Sequence, residues 1–159
     1  LSTIRQSNPD RWVIIGGPFW SNWQTISDLN IVDDPKIIAS FHYYNPMEFT
    51  HQGAPWSGKN KDLSGIKWLG TKEEKDLVNT KLKFASDWSK DNNRPIFLGE
   101  FGAYDKGDMD SRARYTAFVA RTAEKYGFSW AYWQFDSDFI VYNIDEEHWV
   151  EPILNALID

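Results

Sequence analysis

Residues 94–104, RPIFLGEFGAY, form an apolar run carrying a single carboxylate, Glu100, set between Gly99 and Gly102. Glutamate is almost never fully buried without a partner, so its place at the end of an apolar strand points to chemistry more than to packing. A carboxylate there can act as nucleophile or as general acid/base. The question it raises is where a second catalytic carboxylate lies. Residues 36–46, KIIASFHYYNP, supply further candidates. Side chains alternate faces along a strand, which groups Ser40, His42 and Tyr44 on one face and Phe41 and Tyr43 on the other. The same rule groups Ile96, Leu98 and Glu100. In FSWAYWQF, residues 128–135, it groups Ser129, Ala131, Trp133 and Phe135. His42, Tyr44, Glu100 and Trp133 can therefore meet near the ends of neighbouring strands. Each has a plainer reading too: a lone buried His is more often a satisfied core residue, and Tyr44 and Trp133 suit ordinary packing.

The elements that would position these residues follow from the pattern. RWVIIGG, residues 11–17, is a β-branched run closed by two glycines and reads as a buried strand. Before it, LSTIRQSNPD reads as the tail of a helix stopped at Asn8-Pro9. Residues 36–46 are a second strand, ended by Asn45-Pro46. TKEEKDLVNTKLKFASDWSKDNN opens on a capping box from Thr71 to Glu74, with Leu77, Val78, Leu82, Ala85 and Trp88 at helical spacing. RPIFLGEFG is a third strand. In DSRARYTAFVARTAEKYG, Tyr115, Phe118, Val119, Thr122 and Tyr126 share a helical face, and Gly127 is the stop. FSWAYWQF is a fourth strand and EEHWVEPILNALID a last helix. This order predicts an α/β fold of four parallel strands with outer helices as crossovers. Functional loops then sit at the C-terminal strand ends. A closed eight-stranded barrel typically takes about 250 residues, so four strands make half of one. The competing architecture is a flavodoxin-like doubly wound sheet of about five strands. Its phosphate loop is weakly represented, because GGPFW has two glycines but no helix N-terminus directly after it.

Composition narrows the partners. The chain has 159 residues, enough for one domain. Its net charge is -6 and its basic residues form no stripe, which argues against nucleic acid. No run of about 20 apolar residues exists to span a membrane. There is no cysteine, hence no disulfide and no thiolate metal site. His42, His51 and His148 lack ligand spacing, so neither a catalytic metal nor another cofactor is expected. DKGDMDSR, residues 105–112, faintly resembles a calcium loop but lacks the closing Glu, and reads better as a helix cap. The chain starts at Leu1 with no signal peptide, as a processed piece of a longer protein would. Nine tryptophans stand out. They serve either a Trp-rich core or flat platforms for a sugar ring.

In chain order, FHYYNPMEFTHQGAPW (residues 41–56), IFLGEFGAY (96–104) and WAYWQF (130–135) resemble the C-terminal half of glycoside hydrolase family 5 cellulases. Those are retaining endo-β-1,4-glucanases built on an eight-stranded barrel. RQSNPDRWVIIGGPFWSNW is similar to their fifth-strand region, so the resemblance covers essentially the whole chain. It implies the C-terminal (βα)4 half of a TIM (β/α)8 barrel, with residues 1–159 as a single half-barrel unit matching strands five to eight. It implies Glu100 as the nucleophile. His42 and Tyr44 correspond to the active-site His-x-Tyr of strand six, where the Tyr touches the nucleophile. Trp133 corresponds to the tryptophan under a glucose unit at the cleavage point. Trp20, Trp23 and Trp56 would line a glucan cleft, with His51, Gln52 and Asp138 as further hydrogen-bonding candidates. The implied substrate is a β-glucan, and the implied location is extracellular or periplasmic.

The chain departs from that pattern in lacking strands one to four, and with them the family's strand-two Arg and strand-three His. The family's acid/base is a Glu preceded by Asn at the end of strand four, and no Asn-Glu pair occurs here. The partner carboxylate is therefore expected in a missing N-terminal half. Retaining hydrolysis needs two carboxyls about 5–5.5 Å apart. Open strand edges invite pairing with another chain, which predicts a homodimer or higher oligomer, a separate N-terminal half, or a domain swap. In a twofold dimer, two copies of Glu100 would share one rim. The leading reading is a β-1,4-glucan-cleaving enzyme or its nucleophile-bearing half. The alternatives are a non-catalytic glucan-binding or self-assembling half-barrel fragment, and a half-barrel produced by design or proteolysis.

Overall fold

The computed structural model describes residues 1–30 and 33–158. The chain runs α1 (Ser2–Ser7), β1 (Val13–Gly16), a tight turn α2 (Pro18–Ser21), a 3-10 segment (Trp23–Asp28) and β2 (Ile37–Tyr43). It continues through α3 (Met47–Thr50), a 3-10 turn (Gly58–Asp62), α4 (Lys72–Asn92), β3 (Ile96–Phe101), α5 (Met109–Lys125) and β4 (Ser129–Trp130). A two-residue hairpin, β5 (Tyr142–Asn143) with β6 (His148–Trp149), precedes α6 (Glu151–Ile158). The main sheet has the order β1-β2-β3-β4 and is parallel throughout. The predicted strand order and the two long crossover helices are thus present.

Local chemistry explains the helix ends. Thr71 Oγ1 accepts from the Glu74 amide at 3.3 Å, and the Glu74 carboxylate accepts from the Thr71 amide at 2.7 Å. This reciprocal pair satisfies two donors that the first turn of α4 would otherwise leave bare. Asp108 caps α5 through the Ser111 amide and hydroxyl, at 3.0 and 2.9 Å. The acidic stretch 105–112 therefore spends its best-placed carboxylate on a helix, and Lys67 lies 3.2 Å from the same side chain.

One face of the sheet makes the core. Ala39, Phe41 and Tyr43 from β2, with Ile96, Leu98 and Phe101 from β3, pack on Val78, Leu82 and Ala85 of α4 and on Tyr115, Val119 and Ala123 of α5. Leu77, expected on the same stripe, is exposed, because it lies 100° around the helix from Val78 and off the packed face. The other face carries Ile14, Ile38, Ser40, His42 and Phe97; Ser40 is buried, Ile38, His42 and Phe97 are half-buried, and Ile14 is exposed. Ile14 there is 54% exposed. Among the described residues, β1 and β4 each leave one edge unpaired.

Three expectations need correction. β2 and β3 pair Phe41 with Leu98 but His42 with Glu100, so the register slips by one residue at Gly99. Strict alternation would leave Glu100 with Ile96 and Leu98 on the helix side. The bulge instead turns Glu100 to the opposite face beside His42 and returns Phe101 to the core. The fourth strand keeps a regular ladder only over Ser129–Trp130, although the Ala131 and Trp133 amides still donate to Leu98 and Phe101 carbonyls at 3.0 and 2.9 Å. His148 and Trp149 belong to the hairpin, and the last helix starts at Glu151. The final residue assigned to that helix, Asp159, lies outside the described residues.

Candidate active site

The two glycines around Glu100 explain how the site closes up. A Cβ on Gly99 would stand 2.8 Å from Ser40 Oγ and 3.0 Å from His42 Nε2, and one on Gly102 would collide with the Trp133 carbonyl. Side-chain-free backbone at both positions lets β2 and the segment after β4 crowd in on Glu100. The Tyr44 hydroxyl donates to Glu100 Oε2 at 2.9 Å. His42 Nδ1 lies 3.3 Å from the same oxygen, but without the alignment of a hydrogen bond. Burial raises the Tyr44 phenol far above its ordinary range, and the charge of Glu100 and their hydrogen bond raise it further. Tyr44 is therefore a donor at every working pH. Burial lowers the His42 pKa, opposed by the Glu100 charge and by a hydrogen bond with the Trp20 backbone. A neutral imidazole beside an ionised carboxylate is the arrangement this favours.

These groups sit in an open cleft of about 700 Å³ at the C-terminal ends of the strands. Glu100, His42, Tyr44, Trp133, Trp20 and Trp56 all line it. Trp20 is 88% exposed, on a turn whose Phe19, Trp20 and Ser21 have φ of 52°, 54° and 53°. Left-handed backbone costs a non-glycine residue about 1–2 kcal/mol, and such strain concentrates at functional rims. Trp23 is not brought into the cleft lining. Its Nε1 donates to Asn45 Oδ1 at 3.0 Å, its ring meets Phe84 edge-on, and Lys81 covers it at 4.4 Å. It packs the sheet–α4 seam instead. Of the further candidates, His51 and Asp138 reach the cleft. Gln52 is fully buried and clamps the loop after α3 through Phe49 and Ile66 backbone atoms. Sequence reasoning missed Phe139, which packs on Tyr44 and His51. It also missed Asn22, Asn45 and Gln134 in the lining. Among the described residues no group of three or more His, Asp or Glu is placed to hold a metal ion.

Burial lowers the His51 pKa from its ordinary 6.5 to about 4. The unfolded chain therefore binds more protons than the fold between those values, and stability falls as pH drops through that window. The loss is on the order of 2–3 kcal/mol, allowing for water at the ring's cleft edge. His51→Gln should flatten the dependence of the urea midpoint on pH between 7 and 4.5, as measured by fluorescence. Parallel wild-type and variant curves would contradict this.

The chain belongs to the cellulase family, glycosyl hydrolase family 5, whose family model matches residues 1–139. It is 38% identical to endoglucanase H of Acetivibrio thermocellus over its whole length, which is 17% of that protein. A solved hyperthermophilic endo-β-1,4-glucanase in complex with substrate superposes with a TM-score of 0.95 at 47% identity, over 99% of this chain and 50% of that one. Thermotoga maritima Cel5A with cellobiose gives 0.95 at 40% identity, over 99% and 51%. The chain thus spans about half the length of these solved structures. Four parallel strands with helices on one face are the fold of half such a barrel. No helix of the described residues is long and apolar enough to cross a membrane.

Proposed function

We propose that residues 1–159 form one half-barrel unit carrying the nucleophile of a retaining β-1,4-glucan hydrolase. The observation that supports this best is Glu100, set in the cleft with Tyr44 OH at 2.9 Å and Trp133 in the same lining. Glu100 attacks the anomeric carbon, and the bond to the glycosidic oxygen breaks as that oxygen takes a proton. Water then hydrolyses the glycosyl-enzyme and frees Glu100. Tyr44 holds the carboxylate by one oxygen, which leaves the other free to attack. His42 keeps the neighbourhood polar without adding a charge. Trp133 supports the sugar at the cleavage point, and Trp20 and Trp56 bound the cleft.

The acid/base carboxyl is supplied by a second four-stranded unit that closes the sheet. The free edges and the half-exposed Ile14 support this, since covering the rest of that side chain is worth roughly 1 kcal/mol. A second copy or an N-terminal half meets the need, and light scattering after size exclusion tests the first: a dimer or larger species is expected, and a stable monomer contradicts self-association. A β-glucan polymer is too large to enter a cell, so the reaction belongs outside the cytoplasm.

The chain by itself should cleave an aryl β-cellobioside with a good leaving group and, unless a second copy supplies the acid, leave cello-oligosaccharides intact, because only the latter need it. No turnover of either, with oligosaccharide still bound, would favour the non-catalytic glucan-binding reading. Trp133→Ala should weaken cellotetraose binding roughly tenfold or more, as loss of a buried aromatic anchor does. Calorimetry reads this directly, and unchanged affinity would remove the platform role.

A further inference from the structure

Thr50, at the end of α3, is fully buried and ties the loop after β2 to the loop after β3. Its carbonyl accepts from the Tyr104 amide at 2.8 Å, on the loop after β3. Its hydroxyl lies 2.6 Å from the Tyr44 carbonyl oxygen and 2.9 Å from His51 Nδ1. A carbonyl carries no proton, so the hydroxyl must donate to Tyr44. Its single proton is then spent, and the contact with His51 is a hydrogen bond only if Nδ1 carries the hydrogen. The His51 ring is held edge-on by Tyr44 and Phe139, with centroids at 5.0 and 5.5 Å. A flipped ring would set a C–H against the Thr50 oxygen. Nε2 has no hydrogen-bond partner among the described residues, and His51 lines the cleft.

We propose that Thr50 is a positioning residue that locks His51 in its Nδ1–H form, so that Nε2 faces the cleft as a bare acceptor for a ligand hydroxyl. The second half of this statement rests on the glucan reading. Free neutral imidazole prefers its proton on Nε2, so the lock reverses the ordinary state. The consequence is selective. An acceptor-only nitrogen takes a hydrogen bond from a neutral sugar's hydroxyl and offers none to a uronate carboxylate. Thr50 also fixes the backbone of Tyr44, the residue that holds Glu100.

The test is long-range proton–nitrogen correlation through the imidazole rings of the full chain labelled with ¹⁵N-histidine, at pH 7. The expected His51 pattern has a protonated Nδ1 and a lone-pair Nε2; the opposite pattern overturns the proposal. Thr50→Val should shift His51 toward the Nε2–H form, and Thr50→Ser should restore it. If the valine variant fails to fold, the wild-type pattern and the serine variant still decide. Adding cellotetraose should move the Nε2 resonance upfield as it accepts a hydrogen bond. Binding without that shift overturns the acceptor role. No binding at all, with Nδ1 protonated, supports the lock and counts against the glucan reading.

Discussion

Glu100→Gln lowers the rate on an activated aryl β-cellobioside by on the order of 10⁴-fold or more, while cello-oligosaccharide affinity changes little. The amide keeps the size of the side chain and can still sit against Tyr44, whose hydroxyl donates at 2.9 Å in the parent. It lacks the charge and lone-pair strength to attack the anomeric carbon. Choosing an activated leaving group isolates this step, because departure then needs little help from an acid. Steady-state rates and calorimetric affinities of both proteins check the expectation. A variant that loses binding as much as rate would place Glu100 in recognition instead.

The second large effect concerns the wall behind the site. Phe101 follows Glu100, is fully buried, and meets Trp130 and Tyr132 edge-on at 5.5 and 5.7 Å. Phe101→Ala should cost about 3–5 kcal/mol, through lost transfer energy and an unfilled cavity. That is a large share of the 5–15 kcal/mol typical of a domain, and a sheet with two free edges has little in reserve. Because Phe101 is the residue that the bulge returns to the core, its loss also frees the turn that aims Glu100. Urea unfolding followed by fluorescence is expected to show the midpoint fall with little change in slope. A loss under about 1 kcal/mol would mean that the pocket collapses around the gap.

Much of the architecture was legible in local pattern. The capping box, the apolar strands and the helix stripe around Val78, Leu82 and Ala85 each follow from residues close in sequence. The pairing of His42 with Tyr44 was legible from alternation along β2, and the position of Glu100 and Trp133 near strand ends pointed to the same rim. The route by which Glu100 arrives there was not. Alternation has a period of two and cannot reveal an extra residue, so the slip at Gly99 is visible only once the partner strand is paired. The hairpin of Tyr142–Asn143 with His148–Trp149 is too short to carry a pattern. Trp23 looked like a cleft residue because the neighbours that claim it, Asn45, Lys81 and Phe84, come from distant segments. Thr50 gave no signal either, since its weight lies in two hydrogen bonds that only the folded loop creates.

Glu100 is expected to form a covalent glycosyl-enzyme. This is tested most directly with a 2-deoxy-2-fluoro-β-cellobioside bearing a dinitrophenyl leaving group, which needs little acid to react and yields a slowly hydrolysed intermediate. The intact mass should rise by one fluorocellobiosyl unit, and peptide mapping should place it on Glu100. A label on another residue, or no label on a chain that still binds cellotetraose, would contradict it.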